Sequence, residues 1–261
     1  MEKMLTLESI PKKNIKIKKT KGSQCSVSGS NYEKKIHKVV RHCIYNNKPF
    51  NTQKEDELAG SSSKNDIECN CNKEKDTGIE IKKSASADMM QSSLTFNTTK
   101  KCFEPTENSK NPIACREEFN LILEGKDLYG GEIPPFMERS ITYEEWLKIK
   151  SETKKWNDIY INIPSNTIKN LYRKKGCSYI QIYGYGLYHL GNDICNFGVP
   201  EFNVEQKLRI RIKIHTRKNK KGFCDLSVTA ACKLKNEKQL TPSNYSLDDV
   251  NKLPPSLIYK C

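Results

Sequence analysis

The strictest pattern in this sequence is the alternation of apolar and cationic residues in KLRIRIKIH. The apolar positions are Leu208, Ile210, Ile212 and Ile214, and the positions between them hold Arg209, Arg211, Lys213 and His215. Successive side chains of a strand point to opposite faces. The segment therefore predicts a β-strand with one face on a core and the other face carrying cations about 7 Å apart.

Neighbouring segments add further strands and helices. CSYIQIYGYGLYHL and FCDLSVTAACKL are rich in β-branched and aromatic residues, which indicates strands. ITYEEWLKIKSETKKW predicts a helix in which Thr142 is the N-cap and Glu145 completes a capping box. NYEKKIHKVV predicts a helix that begins at Asn31, and SNTIKNLYRKKG predicts one that ends at Gly176. We expect a mixed α/β fold with a central mixed β-sheet flanked by helices.

The segment NDIECNCNKEKDTGIEIKK predicts a β-hairpin. Residues 66–70 form the first strand, residues 72–78 the turn and residues 79–83 the second strand. Ile79 and Ile81 then point to one face, and Glu80 and Lys82 point to the other. Two carboxylates and a lysine are expected together on this hairpin.

The balance of charge favours a polyanionic partner. The chain of 261 residues has 45 Lys and Arg against 31 Asp and Glu, a net charge of +14. Such an excess attracts DNA, RNA or an acidic membrane face, although an AT-rich coding sequence would produce the same excess of lysine. No apolar run approaches the roughly 18 residues of a membrane helix, and the first residues lack a secretory signal. We expect an intracellular protein without a membrane partner.

The cysteines do not predict a metal site. There are 11, scattered along the chain without a CxxC pair. Structural zinc sites usually draw their ligands from closer groups. We expect most cysteines to be reduced and at least half-buried, with zinc as the minority alternative.

The tripeptide Glu-x-Lys does not identify an active site on its own, because it recurs at Glu33, Glu124, Glu152 and Glu205. Only the copy at Glu80 lies among apolar β-type residues and follows an aspartate that opens a strand. Hydrolysis of a phosphodiester needs a placed hydroxide and a counter-charge for the phosphate, and a hard cation such as Mg²⁺ provides both. Asp66, Glu80 and the carbonyl of Ile81 could hold that ion, while Lys82 orients water or offsets phosphate charge.

Asp66 followed by Glu80-Ile81-Lys82 resembles the PD-(D/E)xK nuclease core of type II restriction endonucleases. Asn65 departs from the proline that usually precedes the aspartate. The resemblance implies Mg²⁺-dependent cleavage of double-stranded DNA. It also implies an acidic residue from a preceding helix, for which Glu57, and less so Glu55, lies in the matching place in QKEDELAG.

The expected organisation of the chain has two parts. A run of lysines followed by a Ser/Gly stretch predicts a basic, flexible arm over residues 1–30, and the resemblance implies a nuclease domain over residues 31–261. Within it, residues 31–125 are the catalytic half and residues 126–261 a helical, then β-rich, DNA-binding half. By analogy with cleavage of palindromes, a homodimer is favoured.

The alternating strand and the turn after it are the expected DNA-binding surface. Its residues are Arg209, Arg211, Lys213, Arg217 and Lys218. The alternative is an edge strand whose charges prevent aggregation. The tyrosines of YIQIYGYGLYHLG form either a recognition wall or, with more weight, half-buried sheet packing.

Three alternatives to a nuclease remain from the sequence. Glu80 and Lys82 could be an exposed cross-strand charge pair worth a few tenths of a kcal/mol. The chain could bind nucleic acid through the same basic surface without catalysis. It could also be a structural or host-interaction protein of a virus.

Overall fold

The computed structural model describes residues 21–51, 65–71, 77–107 and 111–260. The helices are α1 (Lys21–Val40), α2 (Ile113–Leu123), α3 (Pro135–Glu138), α4 (Tyr143–Glu152) and α5 (Thr167–Lys175). The strands are β1 (Cys43–Tyr45), β2 (Lys48–Pro49), β3 (Ile67–Cys69), β4 (Thr77–Lys82), β5 (Gln91–Asn97), β6 (Cys102–Pro105), β7 (Ile159–Ile163), β8 (Cys177–Ile182), β9 (Gly186–His189), β10 (Gln206–Thr216), β11 (Asp225–Leu234) and β12 (Ile258–Tyr259). The mixed α/β class is confirmed.

The described strands form three sheets, where the sequence predicted one central sheet. A four-stranded sheet has the order β3-β4-β8-β9, a five-stranded sheet the order β6-β5-β11-β10-β7, and a small sheet the order β12-β1-β2. The four-stranded sheet is mixed, because β4 and β8 run parallel and its other pairs are antiparallel. The parallel pair requires a long connection, and α2 to α5 all lie within it.

The alternating segment is β10, and it lies inside the five-stranded sheet. It pairs with β11 along most of its length and with β7 from Gln206 to Ile210. The edge-strand alternative is therefore wrong for the first half of β10, where both sides are hydrogen-bonded to neighbouring strands. Leu208 and Ile210 are fully buried, as the alternation predicted.

The helix boundaries agree with the local signals at two of three predicted ends. The side chain of Thr142 accepts a hydrogen bond from the backbone N–H of Glu145 at 3.1 Å, which confirms the cap of α4. Helix α5 ends at Gly176, whose φ of +98° is left-handed and suits glycine. The predicted start at Asn31 is wrong, because α1 begins at Lys21. No proline interrupts residues 21–31, so nothing in the backbone stops the helix there.

Two hydrophobic clusters cover opposite faces of the four-stranded sheet. Ile79, Ile81 and Tyr179 pack in one cluster with Ile36 of α1. Ile180 belongs to the other cluster, which extends to α5 and the five-stranded sheet. Parallel strands buried on both faces read as nearly continuous apolar runs. Charged residues within such a sheet, as in β4, therefore require partners.

A disulfide joins Cys71, just after β3, to Cys195 in the segment after β9. Their Cα atoms are 5.2 Å apart, which is normal for a disulfide. No pattern in the sequence predicted this bond. Seven further cysteines have described side chains outside any disulfide, and all but Cys102 are buried: Cys43, Cys69, Cys102, Cys115, Cys177, Cys224 and Cys232. The expectation for most cysteines is confirmed.

Among the residues described, no helix is long and apolar enough to cross a membrane.

Candidate active site

The predicted pairing of the two hairpin strands is confirmed as β3 with β4. Residues 72–76 of the predicted turn lie outside the described residues, and β4 begins at Thr77 instead of Ile79. Ile67 lies opposite Ile79 in this antiparallel pair, so Asp66 comes opposite Glu80, one step further along the register. Residues directly opposite share a face of the sheet. The Oδ2 atom of Asp66 accepts a hydrogen bond from the backbone N–H of Ile81 at 2.7 Å. Asp66 is thus fixed against the strand that carries Glu80.

Glu80 lies between two ammonium groups. Lys82 Nζ is 2.7 Å from Oε1 of Glu80, and Lys175 Nζ is 2.8 Å from Oε2. Only 6% of the Glu80 side chain is exposed, and the values for Lys82 and Lys175 are 18% and 5%. The interpretation as an exposed cross-strand charge pair is therefore wrong, because the pair is buried and includes a third residue.

The carboxylates influence each other electrostatically. Burial, with the nearby charge of Glu80, raises the pKa of Asp66 to about 7. Burial also acts to raise the pKa of Glu80, but the ion pairs with Lys82 and Lys175 outweigh it and hold that pKa below its usual value. Burial opposes the charge of Lys82, yet Glu80 and Asp66 hold the pKa of Lys82 above its usual value. At neutral pH, Glu80 is therefore ionised, and Asp66 is close to half-protonated.

The buried side chain of His37 supports Asp66 from behind. Its Nε2 lies 2.9 Å from the backbone oxygen of Asp66, and its Nδ1 lies 3.3 Å from the side-chain amide of Asn51. A carbonyl oxygen only accepts, so Nε2 carries the proton and Nδ1 accepts from Asn51. Burial lowers the pKa of His37, which favours this neutral form. His37 therefore holds the backbone of Asp66 in place and does not face the carboxylates as a base.

Glu33 of α1 is a third carboxylate near the site, and it was not among the predicted site residues. Burial raises the pKa of Glu33, which also responds to the charges of Lys82, Glu80 and Lys175. Glu33 and His37 are four residues apart, so they lie on one face of α1. The spacing of Glu33 and His37 in the sequence could therefore have identified Glu33 as a candidate site residue. Glu57 and Glu55, the residues predicted for this role, lie outside the described residues.

Lys175 was missed for a different reason. It is the last residue of α5, next to the predicted stop at Gly176. The backbone N–H of Gly78 donates to the carbonyl of Gly176 at 3.0 Å, and this bond ties the end of α5 to the start of β4. Only the parallel pairing of β4 with β8 brings Lys175 to Glu80, and such long-range pairing leaves no local pattern in the sequence.

The donor atoms suit a hard cation. Mg²⁺ is commonly held by one or two carboxylates and completes its shell with water and substrate oxygens. Asp66 and Glu80 provide two adjacent carboxylates whose mutual repulsion a cation would relieve. Within the described part of the chain, no group of three or more His, Cys, Asp or Glu side chains could hold a metal. A carbonyl ligand from Ile81 stays a prediction.

The predicted DNA-binding residues divide into two sets. Arg209 Nη2 donates to both oxygens of Asp88 at 2.8 and 2.7 Å, and Arg211 Nη2 lies 2.8 Å from Oδ2 of Asp88. These arginines are largely buried in an ion-pair network. Lys213 is half-buried, and Arg217 and Lys218 at the end of β10 are exposed. The guanidinium of Arg217 also lies 4.9 Å from the ring centroid of Tyr143.

Comparison with known proteins gives one structural likeness and no sequence match. No protein-family model matches it, and no curated protein matches it either. Among solved structures, the chain is similar to HhaI endonuclease in complex with DNA, with a TM-score of 0.35 and 13% identity, over 81% of this chain and 91% of that one. A likeness of this size does not establish a shared function.

Proposed function

We propose that this protein is a Mg²⁺-dependent endonuclease that hydrolyses phosphodiester bonds of double-stranded DNA. The observation that carries the proposal is the pairing of Asp66 with Glu80 on a buried hairpin, with Lys82 bound to Glu80 at 2.7 Å. Two buried carboxylates and a lysine on one face of a sheet carry a large cost of desolvation. A role in binding a cation and a phosphate explains why these groups are kept together.

Each residue has a defined role in this proposal. Asp66 and Glu80 hold the ion through carboxylate oxygens, and Glu33, in place of or together with Glu57, adds negative charge from the helix side. Bound Mg²⁺ would supply Lewis-acid stabilisation and an activated water. Lys82 binds the scissile phosphate or orients the attacking water, and its ammonium stays protonated because Glu80 and Asp66 hold its pKa up.

Lys175 provides part of the positive charge that balances the two carboxylates before a metal binds. With both ammonium groups in place, Asp66 and Glu80 are balanced by Lys82 and Lys175. A protein with no counter-charge at this depth would protonate its carboxylates. To hold a metal ion, Glu80 would therefore release an ammonium group from at least one of its oxygens.

The choice of DNA as substrate rests on charge. The net charge of +14 suits a polyanion, and the half-buried Lys213 with the exposed Arg217 and Lys218 at the end of β10 could follow a phosphate backbone. Cleavage of both strands at a palindromic site needs two such active sites, so the proposal extends to a homodimer with sequence preference.

The deciding experiment is plasmid cleavage with Mg²⁺ and with EDTA. The wild type is compared with Asp66→Asn and Lys82→Met, and Lys174→Met serves as the matched control. Lys174 pairs with Glu118 on the outside of α5, away from Glu80. We expect cleavage by the wild type and the control, and a loss of at least about 100-fold in the two site variants.

Two results would oppose the proposal. Equal cleavage by all four proteins would show that another site or a contaminant is responsible. Salt-dependent DNA binding by the wild type with no metal-dependent cleavage would favour the alternative of a non-catalytic nucleic-acid-binding protein.

A further inference from the structure

A groove runs beside the candidate active site, between α1 and the carboxyl end of β8. Its volume is about 470 Å³, and Tyr32, Lys35, Lys83 and Tyr183 are among the residues that line it. None of the proposed roles of Asp66, Glu80 or Lys82 uses this groove. Its lining contains two lysines and two tyrosines but no acidic residue.

The groove is continuous with the hairpin that carries Glu80. The backbone N–H of Tyr183 donates to the carbonyl of Lys82 at 2.9 Å. Lys83 follows Lys82 in the chain, and Tyr32 precedes Glu33 on α1. Successive residues of a strand point to opposite faces, and Tyr32 packs with Ile79 and Ile81. The groove therefore lies at the end of β4, on the face opposite Glu80 and Lys82.

The side chains of the groove are arranged before any ligand arrives. Lys83 Nζ lies 3.4 Å from the ring centroid of Tyr183 and 5.1 Å from that of Tyr32. The two rings meet edge to face with centroids 5.2 Å apart, a favourable aromatic geometry. Tyr32 is buried, whereas 47% of Tyr183 is exposed. An aromatic surface and a cation are thus presented together to solvent.

Cations continue outward from the groove along α1. Lys35 is 56% exposed, and its ammonium forms a long ion pair with Asp248 at 3.9 Å. Further exposed cations on this side of the chain are Lys34, Lys38 and Arg41. A nucleic-acid strand repeats a phosphate next to a flat sugar-base unit, and binding grooves for such strands combine cations with aromatic side chains.

We propose that this groove binds the DNA strand segment that adjoins the scissile phosphate. Lys83 and Lys35 bind its backbone phosphates, and the exposed part of the Tyr183 ring packs against a sugar or base. This assignment rests on the proposed function, because it names the part of the substrate that the same site would hold. In this assignment, α1 and the end of β8 provide the main DNA-binding surface, whereas the sequence pattern had predicted that surface on β10.

The test is the affinity of the full chain for a short fluorescein-labelled duplex, measured by anisotropy in EDTA so that binding is separated from cleavage. Tyr160 and Lys207 provide a matched control. Tyr160 is 54% exposed and Lys207 Nζ lies 4.9 Å from its ring, but this pair is on β7 and β10, in the other large sheet. Thermal unfolding of each variant verifies that it is folded.

We expect Tyr183→Ala to weaken binding several-fold, less than the loss of one base stacked in a single strand, because the bases of a duplex are already stacked. Tyr183→Phe should bind like the wild type. Lys83→Ala should reduce the slope of log affinity against log salt by about 1. Tyr160→Ala and Lys207→Ala should leave both quantities unchanged. A duplex with 5-iodouracil beside the cleaved position should photocrosslink to Tyr183.

The results separate the groove from the nuclease. If the wild type does not cleave but binding still depends on Tyr183 and Lys83, the groove stands and the proposed function fails. If the wild type cleaves but the Tyr183 and Lys83 variants match the Tyr160 and Lys207 variants in affinity, the groove assignment is overturned. Absence of any DNA binding by the wild type overturns it as well.

Discussion

The ammonium group of Lys175 lies 2.8 Å from Oε2 of Glu80, although 95 residues separate them in the chain. The contact joins the end of α5 to the middle of β4 and occupies the oxygen of Glu80 that Lys82 does not bind. Without this contact, the two carboxylates of the hairpin would share a single ammonium group.

Replacing Lys175 with methionine should strengthen divalent-ion binding about 10-fold, because the ion no longer competes with this ammonium for Glu80. Isothermal titration calorimetry with Mg²⁺ or Ca²⁺ measures the change. Lys174→Met is the control, since Lys174 precedes Lys175 on α5 but binds Glu118 of α2. Equal affinities of the two variants would exclude competition at Glu80.

The metal-free protein should become less stable as the pH rises through about 7. The pKa of Asp66 is raised in the folded protein to about 7, so the folded state binds more protons than the unfolded state between its ordinary pKa and 7. The stability from this group is present at low pH and is lost as pH rises, at about 1 kcal/mol per pH unit near the upper end.

Chemical denaturation from pH 5 to 8, with and without Mg²⁺, measures this dependence. Mg²⁺ should reduce the loss between pH 5 and about 7, and Asp66→Asn should remove the pH dependence itself. A loss of stability that persists unchanged in Asp66→Asn would assign the effect to another group.

Glu33 should strengthen metal binding through its charge, without being a ligand of the ion. Glu33→Gln removes a charge that lies within electrostatic reach of Lys82, Glu80 and Lys175, and we expect divalent-ion affinity to fall several-fold, by about 1 kcal/mol. Glu117→Gln, an exposed carboxylate on α2, is the control. The calorimetric titration that tests Lys175 also tests this variant, and an affinity equal to that of the control would remove Glu33 from the site.

Asp88 should be important for stability rather than for DNA binding. Asp88→Ala would leave Arg209 and Arg211 without their shared carboxylate in a largely buried position, at a cost of about 3 kcal/mol. Urea denaturation measures it. Glu104→Gln, which breaks a more exposed pair with Lys100, should cost under about 1 kcal/mol. Equal costs would mean that the arginines find other partners.

Reduction of the disulfide should destabilise the fold. Cys71 and Cys195 are 124 residues apart, and a loop of that length corresponds to about 4–5 kcal/mol in the chain-entropy description. The midpoint of thermal unfolding should fall in the presence of a reductant, and Cys195→Ser should unfold at that lower midpoint in both conditions. A wild type insensitive to reductant would show that the bond contributes little.

Local patterns predicted the parts of the structure that are locally determined. Alternation identified β10, the Ser/Thr-x-x-Glu signal located the start of α4, and the context of Glu80 identified the hairpin. Each depends on residues close in sequence, where the period of the side chains and the capping groups act directly.

The features that the sequence did not predict depend on contacts between residues far apart in the chain. The parallel contact of β4 with β8 and the bond from Lys175 to Glu80 have no local signature. Arg209 and Arg211 read as a free basic ribbon because Asp88, 121 residues before Arg209, gave no sign that it would pair with them. The exposure of Tyr183 beside buried Tyr179 and Tyr188 likewise depends on which elements cover β8.

The parallel pairing of β4 with β8 also sets when the site can form during synthesis. When the hairpin has been synthesised, Asp66, Glu80 and Lys82 are already present. The helix that ends at Lys175, and the strand β8 that pairs with β4, are synthesised about a hundred residues later. Nascent chains shorter than this leave Glu80 with one ammonium partner and β4 with an open edge. Contacts of such high sequence separation form late, so the ion-binding carboxylates reach their final arrangement only after most of the chain has emerged.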